Sequence, residues 1–143
     1  MESFRLTKKD VEMLSEKYPT PFVVISLAQV ERNYDFLKRH MPRVNMYYAM
    51  KANPAPRIIE TLARRGASFD TASAGEIETL ARMGILGTRM IYANPVKTPQ
   101  GLAAAAQFGV RRFTFDDHSE IGKMAAAVPG AEVLARVRVK NQN

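Results

Sequence analysis

The sequence predicts an α/β fold built on a parallel β-sheet, and three observations support this prediction. Short apolar runs of strand-forming residues alternate with stretches of about ten residues that have helical periodicity. Most of the helical stretches are followed by a glycine, as at Gly66, Gly84 and Gly109. Polar side chains stand at the ends of several predicted strands. This alternation is typical of βαβ units, in which successive strands run in the same direction.

Two segments precede the alternating region. Residues 1–18 predict a polar helix that Thr7 can cap and that ends at a Pro-Thr-Pro sequence. The next apolar run, residues 22–27 (Phe-Val-Val-Ile-Ser-Leu), predicts a short buried strand. A helix over residues 28–40 follows, because its apolar residues recur at helical spacing.

The alternating region contains five predicted strands with four predicted helices between them. The strands are residues 46–50, 68–70, 90–93, 112–115 and 132–139. The helices are residues 55–65, 74–83, 99–108 and 119–127. A chain of this kind fits either an open, doubly wound sheet or a (β/α)8 barrel.

The loops after the strands favour the barrel. No Gly-x-Gly-x-x-Gly or Gly-x-x-x-x-Gly-Lys loop follows a strand, so the usual marker of a nucleotide-binding open sheet is missing. Single polar residues stand there instead, at Lys51, Asp70, Asn94 and Asp116, which is how barrel active sites are built. A complete barrel needs about 250 residues. We therefore expect these 143 residues to form the first half of a (β/α)8 barrel, truncated before closure.

Composition and charge narrow the classes of function. The apolar fraction of 46% and the charged fraction of 24% are those of a soluble globular protein. The net charge of +7 is scattered and is not interleaved with aromatic residues, which argues against a nucleic-acid-binding protein. There is no cysteine and there are only two widely spaced histidines, so we predict no metal site. With no signal-peptide pattern and no apolar run of membrane-spanning length, we expect a cytoplasmic protein.

Lys51 is the first candidate for chemistry. It ends an apolar strand and precedes an Asn-Pro break and a helix. Ligands of α/β proteins bind at that end of a strand, and a lysine there can act as a Schiff-base nucleophile. The alternative is a solvated lysine that projects from a strand end.

Three further charged residues are candidates, each with a structural alternative. Asp70 stands at the equivalent place on the next strand, where a carboxylate would stabilise a cationic nitrogen. Glu76 lies three residues after Ser73, a spacing that also fits a capping box at a helix start. Arg136 lies in an apolar strand, where it would need an anion if it faces inward and would meet water on an edge strand.

Two other patterns have simple structural interpretations. A second cap signal runs from Asp117 to Glu120, and we interpret His118 between them as an exposed residue at a helix start rather than a general base. Asn-Pro occurs after two strands, at residues 53–54 and 94–95, and predicts a turn at each place.

The combined motifs resemble one family. They are residues 48–53 (Tyr-Ala-Met-Lys-Ala-Asn), 69–76 (Phe-Asp-Thr-Ala-Ser-x-x-Glu), 92–97 (Tyr-Ala-Asn-Pro-x-Lys) and 115–120 (Phe-Asp, then Ser-Glu). In order and spacing, from residue 21 to the end, the chain resembles the pyridoxal-phosphate-dependent decarboxylases of the alanine-racemase fold. These enzymes act on ornithine, lysine, diaminopimelate or arginine, and the bacterial lysine/ornithine decarboxylases are the most similar branch.

The resemblance implies an architecture. Residues 1–20 would be an N-terminal helical segment, and residues 21–143 would be a partial pyridoxal-phosphate-binding (β/α)8 barrel of the alanine-racemase type. The rest of the barrel and a C-terminal β domain would be absent. The segment 22–27 would pack against that second domain rather than in the barrel.

The resemblance also implies roles for individual residues. Lys51 would carry pyridoxal 5'-phosphate covalently, and the acids near it would be Asp70 and Glu76. These three residues are the predicted catalytic set. Cofactor binding would involve Lys51 and Asp70 together with Ala49 and with Arg136, which would lie close to the cofactor ring.

The implied activity is the decarboxylation of a basic amino acid, ornithine or lysine, in polyamine biosynthesis, by a homodimer when full length. Several residues that the family needs would lie beyond Asn143, among them the ring-stacking histidine and the glycine-rich phosphate loop. We therefore expect the 143 residues alone to be inactive. A non-catalytic, decarboxylase-like regulatory or binding protein and a barrel racemase are the alternatives.

Overall fold

The computed structural model describes residues 4–139, and its centre is a sheet of five parallel strands. The strands are β1 (Tyr47–Ala49), β2 (Ser68–Thr71), β3 (Met90–Tyr92), β4 (Arg112–Phe115) and β5 (Glu132–Ala135). Each strand pairs with the next one along the chain, in the order β1-β2-β3-β4-β5. This order fits a segment of a barrel, whereas a doubly wound sheet reverses its strand order at a switch point. The predicted parallel α/β sheet is confirmed.

Six α-helices lie in the described part of the chain, four of them between successive strands. They are α1 (Lys8–Lys17), α2 (Leu27–His40), α3 (Pro56–Arg64), α4 (Ala74–Arg82), α5 (Pro99–Gln107) and α6 (Ser119–Ala127). Thr7 caps α1 as predicted, since its hydroxyl accepts a hydrogen bond from the Asp10 amide. The first three residues of the predicted 1–18 helix lie outside the described residues.

The core fills the space between the helices and the sheet. Its largest fully buried apolar side chains come from strands and helices alike: Tyr92, Phe69, Phe113, Met50, Ile59, Ile77, Leu80, Met90, Met124 and Val110. Left-handed glycines follow the four helices that lie between strands and turn the chain back to the sheet, for example Gly66 after α3 with φ of 85°. The alternating elements are therefore held by apolar burial on one side of each helix.

Side chains from non-adjacent strands meet on one face of the sheet. The Arg112 guanidinium, at the start of β4, donates to the Tyr47 hydroxyl, at the start of β1, over 3.1 Å. Two strands lie between β4 and β1. Arg112 also donates to the Glu132 carboxylate of β5 over 2.8 Å. Side chains from three strands thus meet on this face, an arrangement that fits part of a barrel.

The predicted strand over residues 22–27 is wrong. Residues 22–26 form neither helix nor strand, and Leu27 already belongs to α2. Ser26 caps that helix by accepting from the Gln29 amide over 3.2 Å. Val23 is 87% exposed. Apolar, β-branched residues favour a strand only where a neighbouring strand is present, and in the described sheet none pairs with this segment.

The last strand is shorter than the predicted 132–139. Phe115 is the final residue of β4 and is in register with Ala135, the final residue of β5. One more backbone bond follows, from the Arg136 amide to the Phe115 carbonyl over 2.7 Å. The pairing then stops because β4 offers no further partner. No helix within residues 4–139 has the length and apolar character to span a membrane.

Candidate functional site

Lys51 lies on a short turn directly after β1. The turn is a single 3-10 element, Met50–Ala52, in which Met50 is buried and Lys51 is exposed. Two hydrogen bonds hold its far end: the Tyr48 hydroxyl donates to the Asn53 carbonyl over 3.1 Å, and the Asn53 side chain accepts from the Ala55 amide over 3.0 Å. The turn predicted at Asn53 is confirmed. The buried Met50 fixes the turn to the core, and Lys51 projects from the carboxyl edge of the sheet.

Asp70 lies on the neighbouring strand, in register with Ala49 of β1. Its carboxyl is half-buried, and this burial raises its pKa above the usual range. The positive charge of Lys51 opposes the rise, and the negative charge of Glu76 adds to it. The structure thus brings Lys51, Asp70 and Glu76 within electrostatic reach of one another at one edge of the sheet.

Glu76 forms hydrogen bonds that fix the loop after Asp70. The Ser73 hydroxyl accepts from the Glu76 amide over 3.3 Å, which makes Ser73 the N-cap of α4 as predicted. The Glu76 carboxylate accepts from the Ala72 amide over 2.6 Å, one residue before the position that a capping box would use. Glu76 therefore holds the backbone directly after β2 and keeps its charge near Asp70.

Asn94 holds the same loop from the other side. Its side-chain amide donates to the Ala72 carbonyl over 3.2 Å, and its side-chain oxygen accepts from the Val96 amide over 3.3 Å. The second bond is the turn that Asn-Pro predicts. The first bond joins the loop after β3 to the loop after β2, and no local sequence pattern predicts it. Both backbone groups of Ala72 are therefore bound by side chains.

Arg136 stands apart from the other candidates. It follows β5, is exposed, and lines an open cavity with Asp116, Val137 and Arg138. Within residues 4–139, no hydrogen bond or ion pair joins its side chain to Lys51 or Asp70. Exposure at the edge strand agrees with the alternative that its side chain meets water. Arg136 is related to Lys51, Asp70 and Glu76 only by its position at the carboxyl edge of the sheet.

Lys97 and Glu120 form a buried ion pair that the sequence interpretation missed. The Lys97 ammonium lies 3.6 Å from the Glu120 carboxylate, and the two side chains are 0% and 6% exposed. Burial lowers the pKa of the Lys97 ammonium, and the charge of Glu120 opposes this effect. The two residues are 23 positions apart and belong to different units, so helical or strand periodicity gives no signal that links them.

The predicted cap from Asp117 to Glu120 is wrong, because the N-cap of α6 is His118 and its side chain makes no cap hydrogen bond. The Asp117 carboxylate accepts from the Ser119 amide over 2.8 Å at the start of α6. The Glu120 side chain instead binds the Lys97 amide and the Lys123 ammonium. His118 is 95% exposed, in agreement with its interpretation as a helix-start residue.

Comparison with known proteins identifies the family of this arrangement. The family model described as "Pyridoxal-dependent decarboxylase, pyridoxal binding domain" matches residues 27–143. The match begins at the first residue of α2 and includes all five strands. It therefore covers every candidate site residue described above.

Three proteins illustrate the similarity. The lysine/ornithine decarboxylase of Selenomonas ruminantium is 59% identical over 141 residues, which are 99% of this chain and 36% of that protein. The solved structure of SrLDC in complex with PLP and cadaverine is 58% identical, with a TM-score of 0.95 over 99% of this chain and 37% of the other. Antizyme inhibitor 2 of Xenopus laevis is 37% identical over 116 residues, 81% of this chain and 25% of that protein. The chain spans between a quarter and little more than a third of the length of these proteins.

Proposed function

We propose that this chain, which belongs to the family of pyridoxal-dependent decarboxylases, supplies the lysine-bearing part of the pyridoxal phosphate site of an amino-acid decarboxylase. One observation carries the proposal: Lys51 projects from a braced turn at the carboxyl end of β1, and the Asp70 carboxylate lies on the adjacent strand within reach of its charge. That edge is where barrel enzymes place their active sites.

The described residues fit this cofactor chemically. An exposed primary amine can condense with the aldehyde group of pyridoxal phosphate, with the release of water. A carboxylate beside that nitrogen stabilises its charged form. Ala49 lies at the end of β1, in register with Asp70 and two residues before Lys51. We propose that these three residues bind the cofactor, with Arg136 as a fourth contact from the end of β5.

The chemistry of the reaction would come from the cofactor, and the protein would bind and orient. When bound, pyridoxal phosphate supplies an electron sink that permits loss of carbon dioxide from an amino acid. Lys51 would anchor the cofactor, and Asp70 would stabilise positive charge at the Lys51 nitrogen. Glu76, predicted as catalytic, would act through Asp70, because it raises the pKa of that carboxyl and fixes the Ala72 backbone next to it.

A basic amino acid is the substrate class that we propose, with lysine and ornithine as the two candidates and polyamine formation as the outcome. The 59% identity to a lysine/ornithine decarboxylase and the likeness to a structure that holds cadaverine support this choice. The homodimer, the cytoplasmic location and the boundary between residues 20 and 21 remain predictions from the sequence.

The test is product formation by the full-length protein. The protein is supplied with pyridoxal phosphate and either L-lysine or L-ornithine, and cadaverine and putrescine are quantified. We expect the wild type to form at least one amine, and Lys51→Ala to form none above the blank. Lys38→Ala, which removes an exposed lysine from α2, is the matched control and should retain full activity. Formation of neither amine by the wild type, or activity in Lys51→Ala, would contradict the proposal.

A non-catalytic regulatory protein is the second candidate, favoured by the 37% identity to antizyme inhibitor 2. A protein that performs no chemistry has no need of a reactive lysine, so Lys51 argues for the decarboxylase. The two candidates separate in the same experiment, because a regulatory protein would form no amine from either substrate.

A further inference from the structure

The buried pair of Lys97 and Glu120 lies at the carboxyl edge of the sheet, and the proposed chemistry does not use it. Lysine is among the residues that are most rarely buried, and a buried ammonium is tolerated only where it is paired and hydrogen-bonded. Lys97 meets both conditions, since its side chain is fully buried and its polar contacts come from three different elements.

The Lys97 ammonium joins the loop after β3 to the end of β4. It donates to the Pro95 carbonyl over 2.8 Å and to the Thr114 carbonyl over 2.5 Å. The Thr114 hydroxyl reinforces this connection by donating to the Ala93 carbonyl over 2.7 Å. The loop of residues 93–98 is therefore attached to β4 at two points.

The same lysine also joins this loop to α6. Its backbone amide donates to the Glu120 carboxylate over 3.1 Å, and its ammonium lies 3.6 Å from that carboxylate. Lys123 binds the other carboxylate oxygen and donates to the Lys97 carbonyl over 3.4 Å. Lys123 is 44% exposed, so it completes the cluster from the solvent side.

The loop of residues 93–98, which Lys97 binds, also contacts the loop that follows Asp70. Asn94, three residues before Lys97, donates to the Ala72 carbonyl over 3.2 Å. Ala72 lies two residues after Asp70, and its amide is bound by Glu76. The buried ammonium is thus connected to the backbone beside Asp70 by its bond to Pro95, by the peptide bond between Asn94 and Pro95, and by the bond from Asn94 to Ala72.

We propose that Lys97 is a positioning residue: it fixes the loop of residues 93–98 and, through Asn94 and the Ala72 backbone, keeps Asp70 in its place beside Lys51. The contacts are independent of the reaction, whereas their consequence for Lys51 rests on the proposed function. The competing possibility is a purely global contribution to stability. The two possibilities predict different regions of faster amide hydrogen exchange when the Lys97 ammonium is removed.

The first test compares Lys97→Met with Lys123→Met in the full chain by amide hydrogen exchange. Each variant removes one cation from Glu120, but only Lys97 contacts the carbonyls of Pro95 and Thr114. We expect exchange in peptides covering residues 71–77 and 93–98 to be about tenfold faster in Lys97→Met, because the lost bonds involve a charged donor. Exchange in α3 should be unchanged, and Lys123→Met should leave the 71–77 peptide at the wild-type rate.

A second variant decides the matter if Lys97→Met does not fold. Asn94→Ala removes the bond to the Ala72 carbonyl and the local bond from the Val96 amide, and it leaves the ion pair intact. We expect faster exchange in the 71–77 peptide with no change in α3. The proposal is overturned if Asn94→Ala exchanges at the wild-type rate in that peptide, or if a folded Lys97→Met loosens α3 as much as the two loops.

The consequence for Lys51 has its own readout. At a fixed, limiting concentration of pyridoxal phosphate, borohydride traps the cofactor on the protein, and the labelled fraction of Lys51 is measured by mass spectrometry. We expect that fraction to fall several-fold in Asn94→Ala and to stay at the wild-type level in Lys123→Met. Absence of label on wild-type Lys51 would count against the proposed function and leave the exchange result standing, so the two failures are distinguishable.

Discussion

Asp70 of β2 is in register with Ala49 of β1, two residues before Lys51. The pairing of two adjacent parallel strands therefore brings Asp70 and Lys51 to the same edge of the sheet, and the bonds that Glu76 and Asn94 make to Ala72 hold the backbone that follows Asp70. Parallel strands present their carboxyl ends at one edge, so a lysine after one strand and an aspartate near the end of the next become neighbours.

Asp70→Asn is expected to change how stability depends on pH. Burial raises the pKa of Asp70, so the folded state binds a proton more tightly than the unfolded state does. The resulting stabilisation is fully present below about pH 4, the usual pKa of an aspartate, and is lost as the pH rises through the raised pKa. The free energy of unfolding of Asp70→Asn, relative to the wild type, should therefore increase between pH 4 and pH 7.

Urea denaturation at several pH values across this range measures the difference. Asp35→Asn, an acid on α2 that pairs with Arg65 at the surface, is the control that should not reproduce the trend. A relative stability of Asp70→Asn that falls with rising pH would show that the sign assigned to Asp70 is wrong.

Tyr48→Phe is expected to loosen the turn that carries Lys51. The hydroxyl of Tyr48 donates to the Asn53 carbonyl, whereas its ring packs edge-on to Phe69 with centroids 6.5 Å apart. The substitution keeps the ring and removes the hydrogen bond, at a cost of about 1 kcal/mol. Amide exchange over residues 50–53 should become about fivefold faster.

The matched control for that variant is Tyr18→Phe, since Tyr18 is exposed at the end of α1. It should leave exchange over residues 50–53 unchanged. If Tyr48→Phe also leaves this exchange unchanged, the hydroxyl does not brace the turn.

Gly87→Ala is expected to destabilise the fold, because a methyl group has no room there. A Cβ at Gly87 would lie 2.2 Å from the Phe108 carbonyl oxygen and 2.4 Å from the Gly109 carbonyl carbon. Both neighbours are backbone, so the end of α5 would have to move, at a cost of about 1–3 kcal/mol. Chemical denaturation measures the loss.

Gly122→Ala in α6 is the opposite case. Nothing lies within 4 Å of a Cβ at Gly122, and alanine favours a helix over glycine by about 0.8–1 kcal/mol. This variant should be as stable as the wild type or more stable. Equal stabilities of the two alanine variants would contradict the close approach of Gly87 to α5.

Local sequence patterns predict most of this fold. Strand and helix alternation from residue 46 onward depends on apolar periodicity and glycine helix ends, which are local properties, and the observed elements lie within a few residues of the predicted ones. Residues 22–27 have an equally clear strand pattern and form no strand. A strand also needs a partner, and a local pattern does not reveal whether one is present.

Local sequence patterns predict one part of the candidate site and miss another part. The positions of Lys51 and Asp70 at one edge of the sheet are predictable because each residue stands near the end of its own strand. Lys97 is not found, because its burial depends on Glu120, Thr114 and Pro95, which only the folded chain brings together. Long-range pairing of charged residues leaves no periodic signal in a single sequence.

Mapping the residue that carries the cofactor tests the central proposal most directly. The full-length protein is mixed with less than one equivalent of pyridoxal phosphate, reduced with borohydride, digested and analysed by mass spectrometry. We predict that the label lies on Lys51, is lost in Lys51→Ala and is absent from the exposed Lys38. A label on another lysine, with Lys51 unmodified, would contradict the assignment of this edge as the cofactor site.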